Sequence, residues 1–108
     1  MSTLSTHVLD TALGRPAEGI LVTLERDGVA IRAGETDADG RLGKTDGDAP
    51  LSAGEYRLIF SVADYFSRAG RNSFYSDIIV SFRIGAGDEH YHVPLLLSPF
   101  GYSTYRGT

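Results

Sequence analysis

Residues 20–31 read ILVTLERDGVAI, two runs of strand-forming residues meeting at Asp27-Gly28. Asp-Gly supplies the positive φ angles of a type I′ turn, whose twist matches that of the strands it joins. The stretch predicts a β-hairpin, and its surroundings extend the pattern. In EYRLIFSV, residues 55–62, Tyr56, Leu58 and Phe60 alternate with Arg57, Ile59 and Ser61, as in a strand with one buried face. YSDIIVSFRI (75–84), HYHVPLLLS (90–98) and FGYSTYRG (100–107) predict further strands, with a turn at 85–88 and the last strand running almost to the carboxyl end. Residues 36–55, TDADGRLGKTDGDAPLSAGE, are rich in Asp and Gly and predict turns flanking at most a short strand. Only residues 63–74, ADYFSRAGRNSF, lack alternation; Asp64 is placed to cap one or two helical turns ending near Gly70. At least six short strands separated by turn signals predict an all-β antiparallel sandwich or barrel with one short helix.

The chain has 108 residues, enough for one core and one domain spanning 1–108 without an internal boundary. Its 42% hydrophobic and 22% charged residues are ordinary for a globular protein and argue against disorder. A formal net charge of −4 argues against a nucleic-acid partner, because phosphate binders concentrate Lys and Arg on one face. With no cysteine there is neither a disulfide framework nor a thiol nucleophile, so stability must come from packing and subunit association. The start, MSTLSTHVLD, has no basic segment followed by an apolar one, and no run approaches the roughly 20 apolar residues of a membrane span. The final YRGT matches no lipidation or peroxisomal signal, so a cytoplasmic protein with no membrane partner is expected.

Two of the three histidines lie one residue apart in EHYHVPLLLSP, residues 89–99. Side chains alternate across a strand, so His90, His92, Pro94, Leu96 and Ser98 share one face, while Tyr91, Val93, Leu95 and Leu97 form an apolar stripe on the other. Pro94 has no N–H, which predicts a gap in the ladder or an unpaired side at that point. The third histidine, His7, shares its face with Ser5, opposite Thr6 and Val8. Ordinary half-exposed histidines account for any one of these positions. Two chemical alternatives account for all three together. His-x-His with His7 from a neighbouring strand is the donor set of a three-histidine zinc site with an open position for water. A metal-free site instead uses one imidazole to take a proton from water while an Arg or Lys stabilises the oxyanion that forms.

HVLD near the start, the TDADGR segment, RNSFYSD in the middle and HVPLLLSPFGYSTYRG at the end together resemble the transthyretin-related 5-hydroxyisourate hydrolases. The matched blocks run in order from His7 to Gly107; the terminal block is highly specific and DADGR alone is weak. The resemblance implies a transthyretin-like β-sandwich of two four-stranded antiparallel sheets with one short helix. It also implies a homotetramer, a dimer of dimers, with sites opening into a central channel. It assigns catalytic roles to His7, Arg41 and His92, and substrate contacts to the terminal Tyr105, Arg106 and Thr108. Where the family pattern ends in serine, this chain has Thr108, which keeps the hydroxyl and adds a methyl. His90 has no role in the motif.

The implied reaction is hydrolytic opening of the six-membered ring of 5-hydroxyisourate, with no cofactor and no metal. Water must attack a ring carbonyl, and an imidazole is a base matched to neutral pH. A neighbouring Arg41 favours the neutral imidazole that the role needs, and its guanidinium fork suits a carbonyl or an emerging carboxylate. The same architecture in transthyretin itself serves as a hormone carrier, so a non-catalytic small-molecule carrier is the competing expectation. Two histidines and Arg41 weigh against an apolar carrier channel. Taken as solvated surface groups, Arg41 and Arg106 would contribute little.

Overall fold

The structure, a computed structural model, describes residues 1–42 and 50–108. Among these residues eight strands and one helix follow in the order β1 (Thr3–Asp10), β2 (Arg15–Pro16), β3 (Leu21–Arg26), β4 (Val29–Glu35), β5 (Gly54–Ser61), α1 (Val62–Arg68), β6 (Ile78–Ile84), β7 (His90–Ser98) and β8 (Gly101–Thr104). They form two four-stranded sheets, ordered β2-β1-β7-β8 and β4-β3-β5-β6. This is the expected all-β sandwich with one short helix. The part of the expected turn region at residues 43–49 lies outside the described residues.

The hairpin is as expected: β3 and β4 are antiparallel, with Asp27 at φ 51° and Gly28 at φ 78°. A register shift between Leu24 and Glu25 adds a local irregularity that the alternation did not announce. On β5, Tyr56, Leu58 and Phe60 are all at most 2% exposed. They meet Val8, Val93, Leu95 and Leu97 from the other sheet in one buried cluster. Removing this apolar surface from water, at about 25 cal/mol per Å², is what holds the sheets together.

Three expectations need correction. The first sheet is not wholly antiparallel, since β1 runs parallel to β7 from Thr3 opposite His90 to Asp10 opposite Leu97. Tight turns dictate antiparallel neighbours only between consecutive strands, and the whole second sheet lies between these two. The helix begins at Val62, and its N-cap Ser61 makes no side-chain cap bond. Asp64 lies instead in the first turn, where it pairs with Arg68 at 2.9 Å. Gly70 does close the helix, at φ 66°, with the Gly70 and Arg71 N–H groups donating to the Ser67 and Phe66 carbonyls. Finally, β8 stops at Thr104, and the tail backbone bridges to β7 again at Gly107.

That early stop explains Pro94. Backbone groups two residues apart point the same way along a strand. The His92 carbonyl faces the tail, accepting the Gly107 N–H at 2.7 Å, so the missing N–H of Pro94 faces the same side. It falls in the gap between Thr104, opposite Leu95, and Gly107, opposite His92. The Pro94 carbonyl is satisfied by the Thr104 hydroxyl at 2.7 Å.

At the end of β1, Asp10 is fully buried. Its carboxylate accepts from Arg71 Nη1 at 2.6 Å, Arg71 Nη2 at 3.3 Å, the Tyr65 hydroxyl at 2.8 Å and the Leu13 N–H at 3.1 Å. Burial pushes this carboxyl up, but the bonds from Arg71, Tyr65 and Leu13 outweigh it and hold Asp10 below its ordinary value of 3.8. A depressed folded-state pKa contributes stability above the unfolded value that is lost as pH falls through the folded one. Arg71→Met strands a buried charge and is expected to cost about 3 kcal/mol or more near neutral pH. The deficit, measured by denaturant unfolding at fixed protein concentration, should shrink as pH is lowered, because burial without Arg71 raises the pKa of the stranded carboxyl and lets it protonate.

Candidate active site

The register of β1 against β7 builds the site. Ser5 lies opposite His92, Thr3 opposite His90 and His7 opposite Pro94. Because side chains alternate, Thr3, Ser5 and His7 stand on the outer face of the sheet beside His90 and His92, while Thr6, Val8 and Val93 go inward.

Arg41 reaches this face through the TDADGR segment, whose residues each have a local task. Thr36 is buried; its hydroxyl accepts the Ile20 N–H at 2.9 Å and donates to the Ala17 carbonyl at 2.8 Å. Asp37 folds the turn with one carboxylate oxygen that accepts from the Asp39 and Arg41 N–H groups at 2.9 and 3.0 Å. Gly40, at φ 76°, accepts the Val8 N–H on its carbonyl at 2.8 Å. A Cβ there would stand 2.3 Å from the Val8 carbonyl oxygen, so glycine is required by both dihedral and space. The turn is thereby clipped to β1, with Arg41 in a bridge opposite His7.

The two assigned histidines are held by different chemistry. His7 Nε2 lies 2.8 Å from the Asp39 carbonyl oxygen. A carbonyl only accepts, so Nε2 of the neutral ring carries the proton and Nδ1 has the free lone pair. His92 Nδ1 lies 2.8 Å from the Ser5 hydroxyl, which can donate or accept. One side of this ring is packed by Gly107, where a Cβ would stand 2.5 Å from His92 Cδ2. Burial, followed by the nearby Arg41, His7 and His90, lowers the His92 pKa below its ordinary 6.5 and keeps the ring neutral at pH 7.

His90 is exposed, yet both of its ring nitrogens are engaged. Nδ1 lies 2.7 Å from the Thr3 hydroxyl and Nε2 2.8 Å from the Ser5 hydroxyl. Sequence reasoning gave Thr3 no role and gave His90 one only as a ligand in the zinc alternative. The available signal was the alternation of Thr3, Ser5 and His7 on one face of β1.

The structure therefore brings His7, Arg41 and His92 to one sheet face, but not the whole expected set. Arg106 lies with its guanidinium 4.3 Å from the centre of the Tyr91 ring and pairs with Glu89 at 3.2 Å. Tyr91 faces away from His92 on β7, so Arg106 sits on the other side of the strand. Tyr105 and Arg106 line a cleft of about 320 Å³ with Val80, Phe82 and Val93, between the free edges of the two sheets. The cause is the early end of β8, after which the tail no longer alternates in register. Thr108 is exposed and directly follows Gly107 at the His92 ring. Among the described residues no group of three His, Asp or Glu side chains is disposed to hold a metal ion. His90 and His92 have the Ser5 hydroxyl between them, and His7 is turned to the Asp39 carbonyl.

Known proteins match this chain in sequence and in fold. The family model described as the HIUase/Transthyretin family matches residues 4–107. The chain is 49% identical to 5-hydroxyisourate hydrolase 2 of Rhizobium meliloti, over 97% of this chain and 95% of the relative. It is 46% identical to the solved 5-hydroxyisourate hydrolase of Klebsiella pneumoniae, with a TM-score of 0.92 and full coverage of both chains. Transthyretin from Sparus aurata shares the fold with a TM-score of 0.87 and 30% identity, over 97% of this chain and 96% of that one. With the match spanning nearly every residue and both sheets, the chain belongs to the HIUase/transthyretin family.

Proposed function

We propose that this protein hydrolyses 5-hydroxyisourate to 2-oxo-4-hydroxy-4-carboxy-5-ureidoimidazoline, a step of urate catabolism, without a metal. The observation that carries the proposal is the placement of His92, whose pKa is lowered by burial and by Arg41, on the same sheet face as His7 and Arg41. Two hydrolases among its relatives, at 49 and 46% identity, support the same activity. A carrier role is the weaker reading, because this face presents ionisable groups where a hormone channel needs apolar ones.

In the proposed reaction His7 and His92 orient a water molecule, and one imidazole takes its proton as the water oxygen bonds to the ring carbonyl carbon. Arg41 stabilises the oxyanion and then the carboxylate product. The ring carbon–nitrogen bond breaks and the leaving nitrogen receives the proton held by the imidazolium, which returns the site to its starting state. Tyr105, Arg106 and Thr108 bind the substrate's polar edge. Since Tyr105 and Arg106 face the cleft at the sheet edges, their contact with substrate is assigned to sites shared between copies. A homotetramer, a dimer of dimers, is accordingly proposed, with a cytoplasmic location. Support for a shared site is the open outer face of the β2-β1-β7-β8 sheet, which supplies one wall only.

His92→Asn should leave the assembly intact and lower the decay rate of 5-hydroxyisourate, generated in situ from urate, by about 100-fold or more. Parent-like turnover in that variant sinks the assignment, and loss of wild-type activity on adding a chelator restores the zinc alternative. Because protonation removes the base and the His92 pKa is lowered, the acid limb of kcat/KM should fall below pH 6.5. Arg41→Gln removes one cation, so the His92 titration followed by NMR should move upward. Specific activity should drop when the protein is diluted below its association constant, in step with the mass measured by light scattering. A fully active monomer contradicts the shared site.

A further inference from the structure

We propose that Ser5 and His90 are positioning residues that set which nitrogen of His92 carries its proton, through the hydroxyl–imidazole chain Thr3–His90–Ser5–His92. The proposal rests on the hydrolase function above and adds to it a proton-bearing chain that the family motif does not include. Its basis is a run of short contacts: 2.7 Å from Thr3 Oγ1 to His90 Nδ1, 2.8 Å from His90 Nε2 to Ser5 Oγ, and 2.8 Å from Ser5 Oγ to His92 Nδ1.

The coupling follows from proton counting. The Ser5 hydroxyl has one hydrogen and faces two ring nitrogens, so at most one of the two rings accepts from it. If His90 donates through Nδ1 to Thr3, its Nε2 is bare and takes the Ser5 hydrogen. Ser5 then has only lone pairs left for His92, whose Nδ1 must donate, leaving Nε2 bare as the base. If the chain runs the other way, Thr3 donates to His90 Nδ1, His90 Nε2 donates to Ser5, and Ser5 donates to His92 Nδ1. His92 then carries its proton on Nε2 and presents an acid. Each polarity satisfies every polar atom in the chain, and the two differ in what His92 offers to substrate. The first is the polarity in which His92 is able to serve as the base of the proposed water activation.

The contrast with His7 sharpens the assignment. That ring is tied to the Asp39 carbonyl, which cannot donate, so its neutral form has a single tautomer compatible with the bond. The side-chain partner of His92, the Ser5 hydroxyl, is by contrast amphoteric. Arg41 and His7 are the other charged or titratable groups acting on His92, and both act by through-space repulsion. Glu89, the acidic neighbour of His90 in sequence, is turned away to Arg106 and Tyr91. The exposure of His90 therefore hides a connected group.

With three histidines in the chain, ¹⁵N-histidine labelling of the assembled protein resolves each ring. In the wild type the His92 nitrogens should report Nδ1–H with an unprotonated Nε2. Ser5→Ala and His90→Phe should each shift the tautomer balance toward Nε2–H and lower kcat about 10-fold with KM little changed, a part of the 10²- to 10⁴-fold that a general base contributes. Ser5→Thr, which keeps the hydroxyl, should restore both signals and covers the case in which Ser5→Ala folds poorly. A His92 tautomer that holds in both disrupting variants, or one that shifts without any change in kcat, overturns the proposal. The spectra need no turnover, so a wild type that fails to speed substrate decay counts against the hydrolase function and leaves the tautomer result readable.

Discussion

Everything at the site depends on one in-register pairing, the parallel ladder of β1 with β7. A slip by one residue in either strand would turn its polar side chains into the core and its core residues outward. The register is protected by what lies beneath it. Val8, Val93, Leu95 and Leu97 are at most 6% exposed, and Thr6 spends its buried hydroxyl on the Val93 carbonyl at 2.6 Å. The hydrophobic effect thus fixes positions that the chemistry then uses on the opposite face.

Two glycines extend that control to groups outside the sheet. Gly40 lets the Arg41 turn approach β1 closely enough to accept the Val8 N–H, and Gly107 lets the tail lie against the His92 ring. At both places the missing Cβ is what permits contact, at Gly40 together with a left-handed backbone. The DGR and YRG sequences are therefore as much about backbone approach as about the arginines they contain. Asp10 plays a comparable part at the far end of β1, where it ties the strand to Tyr65 of α1 and to Arg71 just beyond it.

The sandwich was largely legible in the sequence because its signals are local. Asp27-Gly28 fixes a hairpin by dihedral preference, and Tyr56, Leu58 and Phe60 mark a buried face by period alone. The parallel pairing was not legible, since no turn joins β1 to β7. At the site, the shared face of His90 and His92 followed from alternation, while the placement of Arg41 beside His7 came from the family resemblance and not from spacing. The locations of Tyr105 and Arg106 escaped because the tail leaves the ladder after Thr104. The engagement of His90 escaped because hydroxyl contacts between non-adjacent strands leave no periodic trace.

The two sheets also differ in how far apart in the chain their partners lie. In the β4-β3-β5-β6 sheet no two partners are more than two strands apart in the chain, whereas β1, paired early with β2, must wait for β7, the next-to-last strand. Long-range closure is slow because its entropy cost precedes its contacts. During synthesis on the ribosome, the β4-β3-β5-β6 layer is complete while β1 still lacks its mate, leaving the inner side chains of both uncovered. The face that gathers His7, Arg41 and His92 is thus completed only late, and a nascent chain cut short before residue 90 has a scaffold without it.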